Sequence, residues 1–262
     1  MLPLAGQDFP TSLETFVAAL RNGFAGRGVS VRDVRIDGEW PRIAELAVDL
    51  SGAQISRATR VPQAATEPQP GVSIARLAIT AAPLSFETTP LSLDLRAQDA
   101  VCAFVRDAGD EPMLQLMSAG SGAVAVEAQR TDLETTLKDF AAAALAKQGA
   151  EVKSARLELN DRGPRSLGFC AEVTAKAFLM KARVAVTGHL DVDDDLNLRV
   201  RDLATSGDGM IASLAGGFLR PRFAEIEKRV IPLAAFSVAG VKLHGVRISG
   251  GNSLRIEAQF GG

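Results

Sequence analysis

One stretch of the sequence has residue types and a spacing that could bind a metal ion. Residues 189–200 read HLDVDDDLNLRV, and Asp191, Asp193 and Asp195 have the alternating carboxylate spacing with which a calcium-binding loop begins. Such a loop also requires a glycine at its sixth position, where this chain has Leu196, and it lies between two helices. These departures argue against a metal site.

The same stretch has the pattern of two strands joined by a turn. Leu190 and Val192 precede the acidic run, and Leu198 and Val200 follow it, so apolar residues alternate on both sides. Aspartate favours reverse turns because its short side chain accepts hydrogen bonds from the local backbone. The sequence therefore predicts a turn at 193–195, with no metal and no cofactor.

Other patterns that suggest chemistry are incomplete. SGDGMIA, at 206–212, contains G-x-G-x-x-A, but the strands around it look hairpin-connected, whereas the dinucleotide fingerprint requires a βαβ unit. His189 and His244 have no Cys or His partner at zinc-ligand spacing, and no G-x-S-x-G elbow marks a nucleophilic serine. We predict that the protein is not an enzyme, and a hydrolase that uses one of these histidines stays open as an alternative.

Composition excludes several classes of partner. Of the 262 residues, 47% are hydrophobic and 23% are charged, which is typical of a globular chain. The net charge of −2, and aromatic residues that are almost all Phe, argue against a nucleic-acid surface. Because the start lacks signal-peptide features and no run approaches about 20 apolar residues, we expect a cytoplasmic protein, or a periplasmic or membrane-associated one if a further segment precedes this sequence. Cys102 and Cys170 have no CxxC spacing and are expected to stay reduced.

Two segments that begin alike, at 11–37 and 131–159, indicate an internal repeat. Each opens with T-x-L-E-T, a helix capping box, and continues into an amphipathic helix, a glycine and an alternating strand. The residues predicted to begin and end these helices are Thr11, Glu14, Gly28, Thr131, Glu134 and Gly149. A third helix, at 210–230, is interrupted by glycines and a proline, and a strand at 240–248 follows it. We predict one domain, 1–262, built from related halves of about 1–130 and 131–262.

Alternating strands fill most of the chain between the helices. They are predicted at 45–55, 73–86, 91–99, 122–129, 169–178, 181–192, 196–203 and 253–260. The segment 57–71 has several prolines and no periodicity, which is typical of a loop. Closely spaced strands favour antiparallel hairpins, so the fold class is predicted to be α+β, with helices covering the apolar face of a long antiparallel sheet.

A strongly curved sheet wrapped around amphipathic helices leaves an apolar groove that could hold an acyl chain. The candidate lining residues are Phe16, Leu20, Phe24, Leu137, Phe140, Leu145, Leu214 and Phe218. Taken singly, each is better explained by core packing, so the case rests on the group. A basic cluster could contact a lipid headgroup or a membrane surface, although the charge pattern favours a solvated helix face balanced by nearby glutamates. Its members are Arg220, Arg222, Lys228 and Arg229.

The order of these segments resembles a known family. LAVDLSGAQIS, SIARLAITAAPLSF, VAVEAQRTDLETTLKDFAAAALAKQG, EVKSARLELN and VAVTGHLDVDDDLNLRVRDLATSGDG, over about residues 30–210, are similar to bacterial LmeA-like phospholipid-binding domains, which are related to the tubular lipid-binding (TULIP) superfamily. The resemblance implies a curved sheet around helices and non-enzymatic binding, with possible transfer, of a phospholipid or other acyl-chain lipid. The alternative is a structural or protein-interaction module with a fully packed core.

Overall fold

The chain folds into two compact units. The structure, a computed structural model, describes residues 1–56, 64–146, 150–177, 180–208, 222–233, 241 and 243–261. Unit 1 is Met1–Glu127 with Phe236–Gly245 and Glu257–Gly262, and unit 2 is Ala128–Ala235 with Val246–Ile256. Strands dominate both units and each includes a long helix, so the predicted α+β class is confirmed. The relation between the two halves as a sequence repeat stays a prediction.

Unit 1 is built mainly on one sheet and one helix. Its elements are β1 (Leu2–Pro3), α1 (Leu13–Gly26), β2 (Asp33–Glu39), β3 (Arg42–Asp49), β4 (Gln54–Ile55), β5 (Gln69–Phe86), β6 (Thr89–Arg106), β7 (Pro112–Ser118) and β8 (Ser121–Gln129). The long strands β5 and β6 form an antiparallel hairpin at the centre of the sheet. On the path β8-β6-β5-β3-β2 neighbouring strands are hydrogen-bonded, while β7 pairs with β6, β1 with β7 and β4 with β5.

The sheet of unit 1 is mixed, and the prediction of antiparallel hairpins throughout is wrong in one place. Strand β3 pairs in parallel with β5, with Leu46 opposite Leu77, and β4 is also parallel to β5. Parallel neighbours need a connection of a dozen residues or more to return the chain to the same end of the sheet. The segment between Asp49 and Gln69 is long enough to do so.

Helix α1 begins one residue later than its sequence predicts and ends where expected. The N-cap is Ser12 rather than Thr11, because Ser12 has the extended backbone that a cap requires and its Oγ accepts the Thr15 N–H at 3.2 Å. Thr15 Oγ1 accepts the Ser12 N–H in return, so Thr15 replaces Glu14 in the capping box. The predicted terminal glycine, Gly28, is confirmed: its φ is 70°, as in the left-handed residue of a Schellman cap.

The apolar side of α1 is the centre of the core of unit 1. Phe16 and Leu20 are each 0% exposed, and Phe24 is also buried. They belong to one cluster with buried residues from the sheet, including Leu46 of β3 and Ile74 of β5. This helix therefore meets a closed, packed interior.

Two glycines of α1 should respond oppositely to alanine. A Cβ at Gly23 would lie 2.5 Å from the Pro3 carbonyl oxygen, whereas one at Gly26 meets nothing within 4 Å. Alanine is normally favoured over glycine within a helix. We expect Gly23→Ala to destabilise unit 1 by about 1–3 kcal/mol through overpacking, and Gly26→Ala to stabilise it by about 0.4–1 kcal/mol. Urea unfolding followed by the fluorescence of Trp40 measures both, and equal stability of the two variants would contradict the close approach.

Unit 2 contains a second sheet. Its elements are α2 (Arg130–Ala146), β9 (Ala150–Gly163), β10 (Ser166–Ala177), β11 (Met180–Val192), β12 (Asn197–Asp208) and β13 (Val230–Pro232). Among the described residues these strands form one antiparallel sheet in the order β13-β12-β11-β10-β9. A short helical segment covers residues 222–228. Of the last strands, β14 (Leu243–Ser249) and β15 (Ser253–Phe260), each has residues in both units.

Helix α2 starts differently from its prediction. It begins at Arg130, so Thr131 lies inside the helix and is not its cap. Glu134, the expected capping-box partner, accepts the Leu157 N–H of β9 through Oε1 at 2.9 Å. The N–H that this carboxylate satisfies lies on β9, the edge strand of the sheet, whose outward backbone groups would otherwise face water. A contact between a strand and a helix thus replaces the local cap that the sequence predicts.

Parts of the third predicted helix and of three other predictions fall outside the described residues. Residues 209–221 are not described, and they include the first part of that helix and the end of the G-x-G-x-x-A pattern. The same holds for Gly149 and for residues 57–63 of the predicted loop. Residues 69–71 of that loop belong to β5, which corrects its predicted end. In the part of the chain that the structure describes, no helix is long and apolar enough to cross a membrane.

Candidate functional site

The acidic run is a turn, as the sequence predicts. It joins β11 to β12, and the Asp193 carboxylate accepts hydrogen bonds from the backbone N–H groups of Asp195 at 3.1 Å and Asn197 at 2.8 Å. The Arg199 guanidinium lies 3.2 Å from the same carboxylate. Leu196, at the position where a calcium loop requires glycine, has a φ of 60°. The carboxylate thus holds the turn by accepting hydrogen bonds from two backbone N–H groups of the turn, from the Asn197 side-chain amide at 3.2 Å and from one cation.

These contacts make stability depend on the charge of Asp193. The Asn197 backbone N–H, followed by the Asn197 amide and Arg199, holds the pKa of Asp193 below its ordinary value of 3.8. A lowered folded-state pKa stabilises the fold above the unfolded pKa, and that contribution is lost as the pH falls through the folded pKa. We expect Asp193→Asn to melt below wild type at pH 7, with a difference that shrinks below pH 3.8.

Thermal melts at several pH values test this prediction, and Asp194→Asn is the matched control. Asp194 lies in the same turn, fully exposed, and pairs with Arg165 at 3.1 Å. Exposed ion pairs contribute little to stability. A difference for Asp193→Asn that stays constant with pH, or one equal to that of Asp194→Asn, would contradict the account.

The two histidines lie in different units. His189 is in β11, with Nε2 4.0 Å from Asp202 Oδ2, and its buried Nδ1 accepts no hydrogen bond from the described residues. His244 is exposed in β14. In the described part of the chain no hydroxyl or thiol is hydrogen-bonded to the ring of His189. His189 and Asp202 therefore form an acid–base pair, but no nucleophile among the described residues contacts it.

Neither cysteine has the character of a nucleophile. Both are free thiols. Burial raises the pKa of Cys102 to about 12, and burial, aided by Glu158 and Glu172, raises the pKa of Cys170. Thiols react as thiolates, so these raised pKa values make both less reactive near neutral pH. The described residues also include no group of three or more His, Cys, Asp or Glu side chains that could hold a metal ion.

The structure separates the predicted lipid-lining residues into different environments. Those of α1 are in the closed core of unit 1. Those of α2 are not buried: Phe140 is 69% exposed, while Leu137 and Leu145 are half-buried. No residue of α2 is buried, although the helix packs against β9. Leu214, Phe218 and Arg220 lie outside the described residues, and Arg222, Lys228 and Arg229 are exposed.

The sheet of unit 2 has one apolar face. Residues directly opposite each other in paired strands point to the same side of a sheet. Val173 of β10 is opposite Val184 of β11, and Ala171 is opposite both Val186 and Leu157. We call this side the apolar sheet face, formed by Leu157, Phe169, Ala171, Val173, Val184, Val186 and Leu190. All of these residues are half-buried.

The side of the sheet that carries the apolar sheet face is buried at both ends. A Cβ at Gly250 would lie 2.5 Å from Leu167 Cδ1 and 2.8 Å from the Leu159 Cβ, so the backbone of this segment covers both leucines. The Gly250 N–H donates to Asp161 Oδ1 at 2.6 Å, which fixes the segment. Leu159 and Leu167 are accordingly buried. At the other end Ala175 and Ala182, opposite each other on the same side, are buried as well, so the face is only partly covered between its two ends.

The opposite side of this sheet is polar. Glu172 of β10 forms a diagonal ion pair with Arg183 of β11, Oε1 to Nε at 3.4 Å, and Thr187 is exposed on the same side. A two-faced sheet of this kind normally buries its apolar side completely. The half-buried apolar sheet face, together with α2, none of whose residues is buried, is therefore the feature of unit 2 that most needs a ligand or partner.

Unit 1 has a depression of about 480 Å³ on the outer side of α1. Its lining combines apolar side chains with one acid and one base, and consists of Leu13, Glu14, Val17, Ala18, Arg21 and Ile36. Arg21 is also directed to the Val34 carbonyl oxygen, at 3.4 Å. The depression has the chemistry of an ordinary helix–strand groove.

Sequence reasoning missed the sheet residues of the candidate surface. Val173, Val184 and Val186 alternate with polar residues, so their strands are predictable, but alternation alone assigns them to a buried core.

Comparisons of the chain with protein-family models, with curated proteins and with solved structures gave no match. Function must therefore be argued from the geometry of this chain itself.

Proposed function

We propose that the protein binds an acyl-chain lipid, such as a phospholipid, on the apolar sheet face of unit 2 without changing it chemically. The observation that carries the proposal is the incomplete covering of this face, where Val173, Val184 and Val186 remain half-buried. Burying such a side chain fully stabilises a protein by about 1.5–3 kcal/mol, so folded chains normally close over them. A face left partly open is suited to an apolar ligand.

Helix α2 adds a second apolar surface in the same unit. Leu137 and Phe140 are three residues apart and lie on one side of the helix, and Phe140 is 69% exposed. Glu134 attaches this helix to the edge strand β9 through the Leu157 N–H. In the proposal the sheet curves around α2, as in tubular lipid-binding proteins, and the acyl chain lies between them.

The driving force is the removal of methylene groups from water. Each buried CH₂ contributes about 0.8 kcal/mol, so a chain of about ten methylenes supplies about 8 kcal/mol. That gain offsets the several kcal/mol lost when two molecules associate. The headgroup stays at the open part of the face, where water still solvates it.

A protein-interaction module is the second candidate. The exposed Phe140 favours it, because aromatic anchors are frequent at the centre of protein interfaces. The two candidates differ in the half-buried apolar sheet face, which a lipid chain can enter and a folded partner cannot fill as readily. Binding of a small acyl probe therefore separates them.

The test is a titration of the purified chain with cis-parinaric acid, a fluorescent fatty acid whose emission increases in apolar surroundings. We expect saturable binding that the double variant Val184→Thr with Val186→Thr weakens about tenfold or more, because a hydroxyl buried without a partner costs about 1–3 kcal/mol. Thr187→Val, on the polar side of the same strand, is the control and should bind like wild type. No saturable binding by the wild type, or equal effects of both variants, would refute the proposal.

A further inference from the structure

We infer that unit 2 docks onto anionic membrane surfaces through a rim surface formed by Ile226, Lys228, Arg229, Val230 and Ile231. The inference rests on the proposed function and adds to it the source of the lipid, a bilayer whose headgroups are negatively charged. The chemistry of the partner follows from three features: exposed apolar side chains, their continuity with the apolar sheet face, and positive charge.

Apolar side chains are concentrated at this rim. Ile226 is 38% exposed, Val230 is 39% exposed and Ile231 is 45% exposed, within six consecutive residues. Single exposed apolar residues are ordinary, but a cluster of them marks an interaction site. Inserted among lipid headgroups, these side chains would leave water as they do in a protein interior.

Ile226 and Glu227 point in different directions from the helical segment 222–228. Glu227 Oε1 accepts the Leu203 N–H of β12 at 2.8 Å, which directs this residue toward the strand edge. Successive helical residues are rotated by about 100°, and residues three apart lie on one side. Ile226 therefore lies on a side that differs from that of Glu227. Arg229 follows the helical segment directly, and its N–H donates to the Ile226 carbonyl oxygen at 3.0 Å.

Strand β13 connects the rim surface to the apolar sheet face. Ile231 is directly opposite Leu198 of β12, and Leu198 is opposite Val192 of β11. Alternation places Val192 on the same side of β11 as Val184 and Val186. An acyl chain leaving a membrane at Ile231 would thus meet apolar side chains across the width of the sheet.

Positive charge distinguishes this rim from a purely apolar contact. Lys228 and Arg229 are exposed, and none of the ion pairs among the described residues includes either of them. Glu225, also exposed, offsets part of this charge, while Glu227 is bonded to the strand edge. Each basic residue near an anionic bilayer strengthens binding about fivefold.

Vesicle co-sedimentation of the full chain tests the inference. Wild type is expected to bind vesicles of phosphatidylcholine mixed with phosphatidylserine, to bind phosphatidylcholine vesicles much less, and to dissociate as NaCl is raised. The variant Lys228→Gln with Arg229→Gln should bind the anionic vesicles about tenfold less or weaker still. The control variant Lys181→Gln with Arg201→Gln changes the net charge by the same amount. Both of its residues lie on the polar side of the sheet, since Lys181 is opposite Lys176 and Arg201 is opposite His189. This variant should bind the vesicles like wild type.

Several outcomes would overturn the inference. They are equal binding to neutral and anionic vesicles, an equal loss in the control variant, or self-association in sedimentation velocity that the rim variant abolishes while vesicles are not bound. Binding of cis-parinaric acid, measured in parallel, is expected to be unchanged in the rim variant. Absence of vesicle binding with intact probe binding refutes only the docking surface, whereas absence of probe binding refutes the proposed function.

Discussion

Replacing Phe16 with alanine is expected to lower the free energy of unfolding of unit 1 by about 3–5 kcal/mol. Phe16 is 0% exposed on the inner side of α1, and its ring centroid lies 5.8 Å from that of Trp40. The change removes the transfer free energy of the ring and leaves a cavity that the surrounding strands can fill only in part. The loss should be the largest among the single substitutions described above.

Trp40 makes this result measurable within one unit. It is the sole tryptophan of the chain and packs against the affected ring, so its emission during urea unfolding reports on the core of unit 1. Phe140→Ala is the matched control, since it makes the same chemical change on α2, where the ring is mostly exposed. Exposed substitutions usually change stability by less than about 0.5 kcal/mol. A Phe16→Ala loss below about 1 kcal/mol would mean that α1 does not pack as described.

Phe140→Ala should instead affect lipid binding. Its exposed ring would be covered by an acyl chain, and losing that contact removes about 1.5 kcal/mol, which weakens binding of cis-parinaric acid about tenfold. Because the ring is 69% exposed in the free protein, the folded structure does not depend on it. The expected pattern is weaker binding at unchanged stability.

Phe86→Ala provides the comparison for this effect. Phe86 is also an exposed phenylalanine, at 39%, but it lies in β5 of unit 1. Its removal should leave the affinity for the probe unchanged. Equal weakening by Phe86→Ala and Phe140→Ala would indicate non-specific adsorption of the probe, and unchanged binding by Phe140→Ala would exclude α2 from the site.

The strands of unit 2 could be predicted from the sequence because one side of its sheet is polar. Alternation along β10 and β11 follows directly from that two-sided environment. By contrast, β7 (Pro112–Ser118) gives no alternating signal, since Pro112 to Leu116 are all buried. In this run Gln115 is the one polar residue, and a nearly continuous apolar run fits a strand or a buried helix equally well. The parallel pairing of β3 with β5 could not be predicted from the sequence either, because it depends on the path by which the long connection between these strands returns the chain to the sheet.

The candidate site could be predicted only in part, for a related reason. The helical period correctly places Leu137 and Phe140 on one side of α2, but it does not indicate whether a strand covers that side. Phe16 and Phe140 both lie on the apolar side of a predicted amphipathic helix, yet Phe16 is buried and Phe140 is exposed. Glu134 also attaches α2 to β9, which is distant in sequence. A local capping pattern cannot predict this contact.

Native mass spectrometry of the purified chain, followed by organic extraction, tests the central claim most directly. Binding of an acyl-chain lipid predicts a non-covalent adduct of stoichiometric mass, which disappears on denaturation and extracts as a lipid. A protein without bound lipid should gain such an adduct after incubation with mixed lipid vesicles. A mass equal to that of the bare chain, unchanged by that incubation, would contradict lipid binding and favour the protein-interaction module.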